Sequence, residues 1–162
     1  MKNIVLIGMM GCGKSTCAKL LGRRLHRSVV DTDALIEQRT GKTIKDLFAS
    51  EGEAYFRDLE TQVAQELAKE ENLIIATGGG LPLREVNQKA LRENGVVFWL
   101  KRDPKETFSI GSMARRPLAQ QGLEAFVERF RQREPYYAKA ADYVVENFSS
   151  PNATVEEILR HL

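Results

Sequence analysis

Cysteine is almost absent: 162 residues hold two, Cys12 and Cys17. No further cysteine is available to complete a zinc site, and the two are expected to be reduced thiols of a cytoplasmic protein. Long apolar runs are missing too. No stretch approaches the roughly 20 residues needed to span a bilayer, so no membrane partner is expected. Charge of one sign is missing: the net charge is +2, with both signs mixed along the chain, which argues against nucleic acid as a partner. Repeats, low-complexity tracts and linkers are absent. A single domain over residues 1–162 is therefore expected, with a monomer as its working form. No N-K-x-D motif occurs, so a GTPase switch is excluded. The N-terminus reads as a core strand rather than a leader peptide.

What is present starts at that strand. Lys2–Ile7 is a short apolar run, followed at once by Gly8-Met9-Met10-Gly11-Cys12-Gly13-Lys14-Ser15-Thr16 and an amphipathic helix. This is the G-x-x-x-x-G-K-[ST] phosphate-binding loop in its strand–loop–helix setting. Its glycines can adopt positive φ, and its backbone N–H groups can turn inward as an anion nest at a helix N-terminus. Lys14 can reach the β- and γ-phosphates of a nucleotide, and the Ser15 hydroxyl can ligate Mg²⁺.

Downstream, apolar periodicity predicts strands at 28–31, 73–76, 96–100 and 143–145. Helices are predicted at 15–25, 32–40, 43–50, 53–70, from Pro82 to Glu93, from Pro104, at 122–140 and at 154–162. On these helices Val86, Ala90, Leu91, Leu123, Phe126, Val127 and Phe130 are expected inside. Strands alternating with helices make an α/β protein: three layers, α/β/α, with a parallel sheet of about five strands and helices on both faces. Residues 109–121 lack periodicity and read as a mobile lid.

Four further groups carry chemistry. Asp31 and Asp33 flank Thr32 at a strand end. In an extended segment both carboxylates would face the crevice at the carboxyl ends of the strands. One could hold Mg²⁺ through water and the other could accept a hydroxyl proton. Helix capping is the plainer alternative, and the nearby phosphate loop favours function. Arg57 and Glu60 lie at i, i+3 on a helix. They are either a surface ion pair or a guanidinium held ready for a substrate carboxylate. Gly78-Gly79-Gly80 leaves a strand end bare, so that a ligand can lie against the backbone. Arg115-Arg116-Pro117-Leu118 is either a basic turn or a lid arginine over the phosphates. By spacing alone, Arg133 before Pro135 reads as a surface residue.

Taken in order, these motifs resemble the shikimate kinase family over nearly the whole chain. The matching residues are Gly8 to Ser15, Asp31-Thr32-Asp33, Gly52 to Glu60, Gly78-Gly79-Gly80, Arg116-Pro117-Leu118 and Arg133 to Tyr137. The resemblance implies transfer of the ATP γ-phosphoryl to the 3-hydroxyl of shikimate, with ATP and Mg²⁺ bound. It implies that Lys14, Asp33 and Arg116 are catalytic. Nucleotide would be bound by Gly11, Cys12, Gly13, Lys14, Ser15, Thr16, Arg116 and the adenine-side loop around Ser150. Shikimate would be held by Asp33, Arg57, Gly78, Gly79, Gly80 and Arg133, in a pocket lined by Phe48 and Phe56. Mg²⁺ would be held by Ser15 and, through water, Asp31. The chain departs from the family at the lid start, where Phe108-Ser109-Ile110 replaces an arginine that stacks on adenine. A kinase for another small hydroxy acid such as gluconate, or a silent nucleotide-binding module, is the alternative.

Overall fold

A computed structural model of the chain describes residues 1–109, 122–146 and 148–162. Its strands are β1 (Asn3–Ile7), β2 (Ser28–Asp31), β3 (Leu73–Ala76), β4 (Gly95–Leu100) and β5 (Tyr143–Val145). They form one parallel sheet in the order β2-β3-β1-β4-β5. β1 lies in the centre, Ile4 standing in register with Ile74 on one side and Val96 on the other. All five of its residues are buried, as a parallel strand covered on both faces requires. The edge strand β2 is more polar and leaves Val29 exposed.

The helices are α1 (Lys14–Leu25), α2 (Thr32–Thr40), α3 (Ile44–Glu51), α4 (Glu53–Leu67), α5 (Glu85–Glu93), α6 (Pro104–Ser109), α7 (Gly122–Ala140) and α8 (Pro151–Arg160). The period-two alternation of β1 divides the core. Val5 and Ile7 pack into a cluster with Ile36, Phe56, Val63, Leu91, Trp99 and Tyr137. Ile4 and Leu6 pack into another with Leu21, Phe98, Val155 and Ile158. Helices α1 and α8 therefore cover one face, and α2, α4, α5 and α7 the other. Each fully buried aliphatic side chain contributes about 1.5–3 kcal/mol.

Four expectations change. The helix foreseen from Pro82 is two pieces, a 3₁₀ turn over Leu81–Leu83 and then α5. On α5 Val86 is exposed, whereas Asn87 and Gln88 are buried. Their amides donate to the Leu81 and Pro82 carbonyls at 2.8 and 2.7 Å, because a short turn leaves those carbonyls without helical partners. Leu123 is likewise exposed. Helix α8 starts at Pro151 rather than Thr154. The Ser150 hydroxyl caps it by accepting from Ala153 N at 3.0 Å, and proline suits the first turn. Of the expected lid, Ser109 ends α6, and residues 110–121 lie outside the described residues.

Because the strands run parallel, their carboxyl ends open on one edge of the sheet. The segments after β1 (Gly8–Gly13), β3 (Thr77–Gly80) and β4 (Lys101, Arg102) gather there, together with Asp31 at the end of β2.

Candidate active site

Gly8, Gly11 and Gly13 have φ of 149°, 82° and 99°. A side chain at Gly13 would be strained, and a Cβ at Gly8 would come 2.9 Å from both Cys12 Sγ and the Leu100 carbonyl oxygen. Helix α1 begins immediately after. It has no side-chain cap and no acidic residue in its first turn, so its N–H groups stay available to an anion. Lys14 is buried, and its ammonium donates to the carbonyls of Gly8 and Met9 at 2.5 and 2.9 Å. A cavity of about 320 Å³ lies over the loop. Gly11, Gly13, Lys14, Ser15 and Thr16 line one side, and Asp31, Asp33, Gly78 and Gly79 the other.

The two aspartates reach this cavity by a different route from the one expected. The segment is not extended through Asp33: β2 ends at Asp31 and α2 begins at Thr32. Asp31 caps α2, its Oδ1 accepting from Ala34 N at 3.1 Å. Its Oδ2 is left to accept from the Ser15 hydroxyl at 3.2 Å. Asp33 stands in the first turn of α2. Thr32 between them is fully buried, and its hydroxyl accepts from Gly78 N at 2.9 Å, tying α2 to the glycine turn. Burial, and then the charge of Asp31, raise the Asp33 pKa above the usual carboxylate range against the pull of Lys14. Its Oδ1 is buried with no hydrogen-bond partner among the described residues.

A second cavity, of about 470 Å³, adjoins the first; Met10, Asp33 and Gly79 line both. Arg57, Arg129 and Arg133 supply its positive charge. Arg57 and Glu60 are no surface pair. Glu60 is 1% exposed and accepts from Arg57 Nη1 at 2.7 Å, while Glu53 accepts from Nη2 at 3.1 Å. Burial opposes charge on Arg57, but Glu60 and Glu53 outweigh it and raise its pKa. Burial pushes Glu60 upward against Arg57. Arg133, expected at the surface from spacing, is half-buried because α7 continues through Pro135 and turns it inward. Phe48 and Phe56 meet edge to face in the wall, with centroids 5.2 Å apart.

The three glycines after β3 serve these side chains. None has positive φ among the glycines with that conformation. A Cβ on Gly78 would collide with the Asp33 carboxylate, one on Gly79 with Arg133 Nη1 at 2.9 Å, and one on Gly80 with the Arg57 guanidinium. Each glycine thus clears the space of one charged group. The Gly79 carbonyl accepts from the Tyr137 hydroxyl at 2.6 Å. Burial pushes that fully buried phenol up to about 12.

A third cavity, of about 260 Å³, shares Gly13 and Thr16 with the phosphate cavity, and Asp33 is not in its lining. Cys12, Cys17, Ser150 and Arg102 line it. Burial, with Cys12 nearby, pushes the Cys17 thiol up to about 11, so it stays protonated at neutral pH.

Of the foreseen site residues, Arg116 lies outside the described residues, and the others stand on these three connected cavities. Sequence reasoning missed Arg129, which lines the acceptor cavity with its pKa lowered by burial and by Arg133. Its signal was the i, i+4 spacing to Arg133 on one helix. Thr32 and Tyr137 were missed as scaffolding, and Arg102 altogether, although it stands just beyond the carboxyl end of β4.

A phosphate loop on a parallel sheet, a carboxylate beside it and an arginine-lined cavity beyond that carboxylate define a P-loop phosphotransferase with a small anionic acceptor. The family model for shikimate kinase matches residues 10–162. A shikimate kinase of Clostridium botulinum (strain Eklund 17B / Type B) is 40% identical over 159 residues, covering 98% of this chain and 96% of the relative. The solved shikimate kinase of Acinetobacter baumannii, in complex with shikimate, superposes with a TM-score of 0.88 at 33% identity, over 99% of this chain and 92% of that one. The chain belongs to the shikimate kinase family. A gluconokinase of Sinorhizobium meliloti, at 14% identity and a TM-score of 0.61 over 98% of this chain and 90% of its own, shares the fold alone.

Proposed function

We propose that this chain transfers the γ-phosphoryl group of ATP to the 3-hydroxyl of shikimate, giving 3-phosphoshikimate and ADP. The observation that carries the reading is that Asp33 lines both the phosphate cavity and the arginine-lined cavity. A carboxylate with a free buried oxygen therefore stands where donor and acceptor must meet. In this reading the phosphates lie on the backbone of Gly11–Thr16, and Lys14 exchanges the Gly8 and Met9 carbonyls for phosphate oxygens. Arg57, braced by Glu60 and Glu53, and Arg133 grip the acceptor carboxylate. The acceptor oxygen bonds to the γ-phosphorus as the bond to the β–γ bridging oxygen breaks. Asp33 accepts the hydroxyl proton, and ADP leaves. Arg116 neutralises charge on the transferred group.

Ser15 Oγ and Asp31 Oδ2 are an oxygen pair suited to Mg²⁺, and Asp31's other oxygen is engaged by the cap, which sets its orientation. Ser15 and, through water, Asp31 would hold Mg²⁺ there, which would supply positive charge to the phosphate oxygens. The cytoplasm is the compartment this reading favours, supported by the two free buried thiols.

The test is ADP release from Mg·ATP with shikimate, with gluconate and with nucleoside monophosphates as parallel acceptors. Turnover is expected with shikimate. Turnover with gluconate alone would move the substrate, and ATP binding without turnover on any acceptor would leave a silent module.

A further inference from the structure

We infer that Arg102 holds the purine base of the nucleotide, an inference that rests on the reading of ATP as phosphoryl donor. A nucleotide whose terminal phosphate faces Asp33 must leave the phosphate loop on the opposite side. There the 260 Å³ cavity continues past Gly13 and Thr16. Its walls are thiols, hydroxyls, Phe148 and Pro151, and Arg102 is the one charged side chain among its described lining residues. Weakly polar walls with a single planar cation suit a neutral heterocycle.

Arg102 itself is poised for such a partner. Its side chain is 19% exposed. Its guanidinium lies over the Phe148 ring at 5.3 Å, so a planar cation already stacks on one π face. Its Nε is buried with no hydrogen-bond partner among the described residues, and the Glu106 carboxylate is 3.9 Å from Nη2. A buried donor left without a partner is unfavourable. A purine stacked on the guanidinium supplies a second π face, and one met edge-on supplies ring nitrogens that accept from Nε. Ser150 cannot take this role with the oxygen that caps α8.

The experiment is calorimetric titration of the full chain, Arg102→Ala and Arg102→Lys with ADP and, separately, with inorganic tripolyphosphate. Both variants are expected to bind ADP about tenfold more weakly, since lysine lacks the planar group. Tripolyphosphate, which has no base, is expected to bind all three proteins alike, which also reports an intact loop. Unchanged ADP affinity would overturn the assignment. So would a parallel loss of tripolyphosphate, which would place Arg102 on the phosphates, or full recovery in Arg102→Lys, which would reduce its role to charge. Failure of the unaltered chain to bind ADP would remove the ATP reading itself, and the inference with it.

Discussion

The two cavities that meet at Asp33 are built in opposite ways. The phosphate side is made from nine consecutive residues and works through backbone N–H groups, glycine conformation and a helix terminus. The acceptor side is assembled from side chains on α2, α3, α4 and α7 and from the backbone of the glycine turn, distant in sequence. An anion nest needs no compensating charge, because peptide dipoles are already present. A guanidinium in a half-buried wall does need it, and Glu60, 1% exposed, supplies it. The phosphate side should therefore tolerate change in its surroundings, whereas the acceptor side should fail whenever one of its distant supports is removed.

Asp33→Asn breaks the junction between the two and should have the largest effect. Turnover should fall by about 10²–10⁴ while calorimetric ADP affinity holds; unchanged turnover would take Asp33 out of the chemistry. Next comes Gly80→Ala, which places a methyl group against the Arg57 guanidinium. Arg57 is held by two carboxylates and cannot easily yield, so KM for shikimate should rise by about tenfold or more with ADP binding unaffected. An unaltered KM would mean that the glycine turn is not shaped by its arginine. The same split is expected of Arg57→Ala. Glu60→Ala removes the buried half of the pair and should cost about 3 kcal/mol in chemical unfolding. A cost below about 1 kcal/mol would make the pair equivalent to a surface one.

The smallest effect is expected at Tyr137→Phe, which leaves the partly buried Gly79 carbonyl without its donor and should cost about 1 kcal/mol. It also sharpens a pH statement. The folded phenol keeps its proton to about 12, above the ordinary value near 10. Its contribution to stability is thus fully present below pH ~10 and is lost as pH rises through about 12. In an alkaline ultraviolet titration the variant should lack that late ionisation step; its persistence would assign the step to another tyrosine.

Much of this was legible along the chain. β1 and its glycines are read correctly because each part of a phosphate loop touches its sequence neighbours, and the five strands follow from local apolarity. Asp31 and Asp33 were found together for a mistaken reason: a helix start, not strand alternation, turns them to one cavity. Val86, expected inside, is exposed and Asn87 is buried instead, because two carbonyls of the preceding turn needed donors, which no hydrophobic pattern records.

The sequence by itself therefore determined the parallel α/β layering, the anion site at the start of α1 and the residue types available to an acceptor. Those properties depend on periodicity and on contacts within a few residues. Only the tertiary structure decided that Arg57 and Glu60 form a buried pair, that Arg133 points inward beyond Gly79, and that Gly78, Gly79 and Gly80 each make room for a different charged group. Charge, burial and clearance at those positions are set by elements dozens of residues apart, and only packing brings them within contact distance.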